Sequence, residues 1–104
     1  MIRGGVVRLP VADVAHAVRF YVETLGMKLV AEGPGDAVID AGDGLLLELA
    51  QTPGGEHKGA VAVGLRPKIP LAEARAILEN RGIVFDAAHR FADPDGNALF
   101  LVAP

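Results

Sequence analysis

The chain has 104 residues, a net charge of −3, a hydrophobic fraction of 51% and no cysteine. This length favours one domain with an aliphatic core, the missing cysteine excludes disulfides and thiolate metal sites, and the lack of a basic block argues against nucleic acid. No run is long enough to span a bilayer and no signal segment begins the chain, so we expect a cytoplasmic protein with no membrane partner.

The first half of the chain predicts a strand, a helix and two further strands. Residues 2–9 carry the β-branched side chains of a first strand. Asp13 is a suitable N-cap for the helix, and Gly26 ends it where a left-handed residue is favoured. Two short strands are then predicted, over residues 27–31 and 37–40.

A fourth strand follows the hairpin turn at Asp43-Gly44 and contains a single carboxylate, Glu48. Alternate residues of a strand point to opposite faces of the sheet. We therefore expect Leu46 and Glu48 to share one face with Ala50, while the intervening leucines lie on the other face.

The second half repeats this order after a polar loop. The loop at residues 52–59 contains Pro53-Gly54-Gly55 and is the predicted linker. Next come a strand over residues 60–65 and a helix that starts at Pro70 and ends at Gly82. Three strands complete the half, over residues 83–85, 89–91 and 98–102.

The two halves together predict an internal duplication within a single domain, residues 1–104. Module 1 covers residues 1–51 and module 2 covers residues 60–104. The fold class is α+β, with two paired βαβββ modules that form curved mixed sheets around a central cavity. A mean hydropathy of +0.35 is high for a small domain, which suggests that a second copy covers part of the surface and that the protein is a homodimer.

The sequence resembles the vicinal oxygen chelate superfamily, which comprises glyoxalases, bleomycin-resistance proteins and extradiol dioxygenases. The matching segments occur in both halves: Val11-Ala12-Asp13-Val14, Phe20-Tyr21, Leu25-Gly26-Met27 and the run from Arg90 to Asn97. The resemblance covers nearly the whole chain and implies paired βαβββ modules, often in a dimer. It does not specify an activity, because one fold supports many functions.

In metal-dependent members, the resemblance implies four metal-ligand positions. By counting along the sequence, these fall on Val6, on Glu48, near Ala60 and on Phe100. Only Glu48 has a lone pair to offer, and a single carboxylate does not retain a divalent ion. We therefore expect no metal site and no cofactor.

The predicted ligand-binding residues surround the predicted cavity: Val6, Arg8, Leu46, Glu48, His89, Phe91 and Phe100. Glu48 is interpreted as an acid, a base or a hydrogen-bonding anchor, or as a charge on a solvated face. Arg8 would pair with Glu48 or with an anionic ligand, or would be a surface arginine. His89 and Phe91 would share a strand face, and Phe100 would be an apolar floor or simple core. His57 is a weaker candidate in the linker.

Three hypotheses follow for the function. The first is a metal-independent protein that binds a small, largely apolar molecule. The second is a lyase, isomerase or dioxygenase that uses Glu48 with a metal, or Glu48 alone as a general base. The third is an interaction subunit that binds no small ligand.

Overall fold

A computed structural model describes residues 1, 4–52 and 62–103 of the chain. The chain divides into two units, Met1–Lys58 and Gly59–Pro104, and each has its own sheet. No helix in the described part of the chain is long and apolar enough to cross a membrane.

In the first unit, the described residues 4–52 form four strands and one helix. Its elements are β1 (Val6–Val11), α1 (Val14–Arg19) continued by a π-helical turn (Phe20–Thr24), β2 (Lys28–Glu32), β3 (Asp36–Gly42) and β4 (Leu45–Gln51). The strand order in the sheet is β1-β4-β3-β2. Strand β1 runs parallel to β4, and the other neighbours are antiparallel.

The helix begins and ends at the residues that the sequence predicts. The carboxylate of Asp13 accepts a hydrogen bond from the backbone N–H of His16 at 3.1 Å, as expected of an N-cap. Gly26 has a φ of +76°, which is in the left-handed region that favours glycine at a helix end. Both predictions are confirmed.

Helix α1 covers one face of the first sheet. Leu47 and Leu49 of β4 are fully buried together with Ile39 of β3 and with Val14 and Ala17 of the helix. Leu46, Glu48 and Ala50 alternate with these leucines and are half-buried. The face that carries Glu48, here called the open face, is therefore the one that α1 does not cover.

The described residues of the second unit, 62–103, form three strands and one helix. Its elements are β5 (Ala62–Leu65), α2 (Leu71–Asn80), β6 (Arg90–Ala92) and β7 (Ala98–Leu101), with sheet order β5-β7-β6. Strand β5 is parallel to β7, and β6 is antiparallel to it. The α+β class with two mixed sheets is confirmed, and the cavity expected between the halves stays a prediction.

The prediction of a strand over residues 83–85 is wrong. In the described part of the chain the second sheet therefore has three strands, where four were predicted. Its residues are held by side-chain packing. The Phe85 ring packs on Phe91 at 5.0 Å between centroids, and the guanidinium of Arg75 lies 5.1 Å from the Phe85 ring centre. Ile83 is buried, while Val84 is 84% exposed.

The predicted turn before the last strand is confirmed, and it is built on Asp93. Its Oδ1 accepts hydrogen bonds from the backbone N–H groups of Asp95 and Asn97, at 2.9 and 2.8 Å. Its Oδ2 accepts from the side-chain amide of Asn97 at 2.8 Å. Because Asp93 and Asn97 are buried, these bonds satisfy polar groups that would otherwise be costly to bury.

The ring of Phe100 lies over the backbone of Gly64. The two residues are register partners in β7 and β5. A Cβ atom added at Gly64 would be 2.6 Å from Cζ and 2.8 Å from Cε2 of Phe100. The ring can occupy this position only because residue 64 has no side chain.

We predict that Gly64→Ala lowers the free energy of unfolding by about 1–3 kcal/mol, since the added methyl group overlaps the ring. In a Phe100→Ala background the same change is expected to cost less, with a coupling energy of at least about 0.5 kcal/mol. Urea denaturation of the two single variants and the double variant measures this coupling. Additive changes in the free energy of unfolding would show that the position of the Phe100 ring does not depend on the missing side chain at Gly64.

Candidate functional site

The candidate site is built around an ion pair between neighbouring strands. Arg8 of β1 and Glu48 of β4 are register partners in the parallel pair. The Arg8 Nε–H donates to Glu48 Oε1 at 2.5 Å, with the two side chains 72% and 21% exposed. The two groups carry opposite charges and the carboxylate is the more shielded partner, so the contact is a charge-assisted hydrogen bond across the two strands.

The ion pair is surrounded by apolar side chains on the open face. Val6 and Pro10 flank Arg8 along β1, and Leu46 and Ala50 flank Glu48 along β4. On the other side of Glu48, its register partner in β3 is Val38. The open face therefore presents this charged pair among apolar side chains, with Asp36 and Asp40 of β3 further along the same face.

The strand register agrees with one of the alternatives for Arg8, its pairing with Glu48. Val6 pairs with Leu46, and it is Arg8 that lies directly beside Glu48. A guanidinium is a cation that carries donors only, so it neutralises the carboxylate and cannot coordinate a metal. Val6 and Phe100 have no ligand atoms, and the described residues hold no group of three or more metal-ligating side chains. The donor set does not fit the metal that the family's metal-dependent members use.

Phe100 lies on the face of the second sheet opposite to the buried side chains of Leu99 and Leu101. Arg90 of β6 and Gly64 of β5 are the register partners of Phe100 on either side. The adjacent residues on this face are alanines in all three strands, namely Ala62, Ala92 and Ala98. The half-buried ring thus lies among small side chains and forms a flat apolar platform.

His89 does not lie in a strand, so the expectation that it shares a strand face with Phe91 is wrong. It precedes β6 with a φ of +61°, and its backbone N–H donates to the carbonyl of Asp86 at 3.1 Å. Its Nδ1 is 3.1 Å from Nη1 of Arg75. Because a guanidinium only donates, Nδ1 is the acceptor and the ring proton is on Nε2.

Phe91 lies on the opposite face of its sheet from Phe100. Its register partner is Leu99, and it is only 7% exposed. It packs against Phe85 inside the unit. The structure thus brings Val6, Arg8, Leu46 and Glu48 together in the first unit, but does not bring Phe91 beside Phe100 in the second.

Asp86 forms a polar cluster that sequence reasoning missed. Its Oδ1 accepts from the backbone N–H groups of Ala88 and Arg90, and its Oδ2 accepts from Arg90 Nε at 2.8 Å. These bonds, with the Arg90 backbone N–H as the largest cause, hold the pKa of Asp86 below its ordinary value. An aspartate side chain that accepts a hydrogen bond from the backbone N–H two residues later forms an Asx-turn. The aspartate at position 86 is the sequence signal for this turn.

Two positions from the sequence analysis, His57 and Ala60, lie outside the described residues.

The sequence model for the glyoxalase/bleomycin resistance protein/dioxygenase superfamily matches residues 4–101. The chain belongs to this superfamily, as the paired strand–helix pattern and the Arg90-to-Asn97 run indicate. No protein of curated function matches it in sequence.

Solved structures of the same superfamily have the same fold. TnmS3, an antibiotic binding protein from Streptomyces sp. CB03234, is 28% identical with a TM-score of 0.82, covering 100% of this chain and 97% of that one. A superfamily member from Sphaerobacter thermophilus DSM 20745 is 26% identical with a TM-score of 0.81, covering 100% and 98%. The bleomycin-binding protein of Streptomyces verticillus, 22% identical with a TM-score of 0.71 over 100% and 98%, is alike in fold.

We predict that Asp86→Asn lowers stability at neutral pH and that this loss disappears in acid. Because the folded pKa lies below the unfolded one, the carboxylate stabilises the fold fully above its ordinary pKa of about 3.9 and loses this effect as the pH falls through the folded value. Urea unfolding of both proteins between neutral pH and strong acid measures the difference. Glu32→Gln, at an exposed carboxylate of β2, is the control, and a pH-independent gap would contradict the assignment.

Proposed function

We propose that this protein binds a small, largely apolar molecule on the open face of its first sheet and does so without a metal ion. The observation that carries this proposal is the Arg8–Glu48 ion pair at 2.5 Å. The pair supplies polar groups that can orient a ligand, and the apolar residues around it supply contact area. Ligand pockets commonly combine a few placed polar groups with an apolar lining.

The charge balance supports metal-independent binding. A half-buried carboxylate on an apolar surface needs a compensating cation, because burying a charge alone is costly. Arg8 provides this cation through a direct hydrogen bond. A metal ion at Glu48 would have to displace the guanidinium, and the direct register partners on that face supply only Arg8 and Val38. The carboxylates of Asp36 and Asp40 lie on the same face, but the described residues contain no group of three that could hold a metal ion.

The relatives support a binding protein within the superfamily. TnmS3, which is described as an antibiotic binding protein, is 28% identical over the full length of this chain. The present chain has no tryptophan, so it lacks the largest stacking side chain for a wide, flat antibiotic. A compact ligand with aliphatic or mixed character fits the valines and leucines of the open face better.

Glu48 as a general base of a lyase or isomerase is the alternative within the same site. It predicts that Glu48→Gln abolishes turnover and leaves binding nearly unchanged. Ligand contacts by His89, Phe91 and Phe100, a homodimeric state and a cytoplasmic location remain predictions.

We predict that the protein binds the neutral, apolar dye N-phenyl-1-naphthylamine, with an increase in dye fluorescence. Dialysis against EDTA is expected to change the dissociation constant by less than about twofold, because no metal bridges ligand and protein. Leu46→Asp is expected to weaken binding by about tenfold or more, since it replaces apolar contact area with a charge.

The matched control is Val30→Asp, which places the same charge at an exposed apolar position on the edge strand β2. Its dye affinity should equal that of the wild type. A large loss of affinity after chelation, with recovery on adding zinc, nickel, manganese or iron, would reject metal-independent binding. Equal losses in both aspartate variants would show that the dye does not bind at the open face.

A further inference from the structure

We infer that the ligand of the open face carries a carboxylate, which binds to the Nη1–Nη2 edge of Arg8. This inference rests on the proposed function and specifies the class of molecule bound. It starts from the way in which Arg8 contacts Glu48. The contact uses Nε alone, and Nη1 and Nη2 make no hydrogen bond to any residue in the described part of the chain.

A guanidinium with its Nε occupied still presents a complete binding edge. Nη1 and Nη2 each direct one N–H parallel to the other, and their spacing matches the two oxygens of a carboxylate. The Arg8 side chain is 72% exposed, so this edge is accessible. The structure therefore offers a planar, forked donor directed away from Glu48.

Glu48 acts on this fork as a positioning residue. A free arginine side chain loses several rotamers when it binds a ligand, and that loss weakens affinity. The hydrogen bond to Glu48, itself held in the middle of the sheet with a 21% exposed side chain, removes much of this freedom before the ligand arrives. Arg8 is thus oriented in advance.

The other charges on the open face do not cancel the attraction of Arg8 for an anion. Asp36 and Asp40 lie on β3, which is separated from β1 by β4. Two strand spacings are about 10 Å, which is close to the Debye length at 0.1 M salt. The register partner of Asp40 is Lys28, a charge of opposite sign. Glu48 is the nearby carboxylate, and its charge and that of Arg8 compensate each other. The preference for a carboxylate therefore depends on the directed donors of Nη1 and Nη2.

The apolar part of the ligand has a defined place next to the fork. Val6, which is 52% exposed, and Pro10 are the neighbours of Arg8 on the same face of β1, and Leu46 lies opposite Val6. A molecule that places its carboxylate on Arg8 can lay a compact hydrocarbon body along these side chains. The ligand class is thus a small organic acid with an apolar body.

The test compares 1-naphthoate with 1-naphthamide, which has the same shape and no charge. Both are titrated into wild-type protein labelled with ¹⁵N, and binding is followed at the β1 and β4 amides and at the Arg8 Nε–H. We expect naphthoate to bind about tenfold more tightly than naphthamide, as for a charge-assisted, two-point hydrogen bond. Arg8→Gln should abolish this preference, and so should Arg8→Lys, which keeps the charge and loses the fork.

Arg19→Gln is the matched control, because Arg19 forms an exposed ion pair with Glu23 on the helix of the same unit. It should keep the full preference for naphthoate. Circular dichroism establishes whether each variant is folded. If Arg8→Gln does not fold, Arg8→Lys is used for the comparison.

Two results would overturn the inference. A preference that survives in Arg8→Lys would show attraction to a point charge without forked recognition. Equal binding of the two probes, or binding of neither, would reject the carboxylate class. If naphthoate and naphthamide bind equally and both perturb the β1 and β4 amides, the carboxylate inference fails and the proposed function stands. The dye experiment tests the proposed function independently.

Discussion

The open face of the first sheet depends on the hydrogen bond between Arg8 and Glu48. A carboxylate at a half-buried position among valines and leucines is unfavourable unless a cation or a set of donors compensates its charge. The parallel register of β1 and β4 places a guanidinium directly beside it. The same contact gives the exposed Arg8 side chain a partner on the neighbouring strand.

The two units use the same strand pairing for different purposes. In the parallel pair β1/β4 the partners are Arg8 and Glu48, and in the parallel pair β5/β7 they are Gly64 and Phe100. The first pair makes a charged contact across the strands. The second makes an apolar contact in which the ring covers a residue without a side chain. The backbone arrangement is thus repeated, while each sheet's uncovered face has its own chemistry.

The sequence predicted the features that depend on local interactions. The N-cap at Asp13, the helix end at Gly26 and the turn built on Asp93 all involve residues within a few positions of each other. The strand at 83–85 and the placement of His89 were wrong because Arg75, from the preceding helix, holds Phe85 and His89 in an irregular segment. The pairing of Arg8 with Glu48 was one of the alternatives that the sequence left open, and the parallel register of β1 and β4 agrees with it.

A guanidinium beside Glu48 offers a kind of recognition that differs from that of a divalent cation. A divalent cation attracts oxygen atoms from many directions and polarises them as a Lewis acid. A guanidinium donates hydrogen bonds in one plane and in fixed directions, and it does not lose its proton. Because Nε is bound to Glu48, the donors of Arg8 that remain for a ligand are those of the Nη1–Nη2 edge. An arrangement of this kind distinguishes ligands by the geometry of their acceptors.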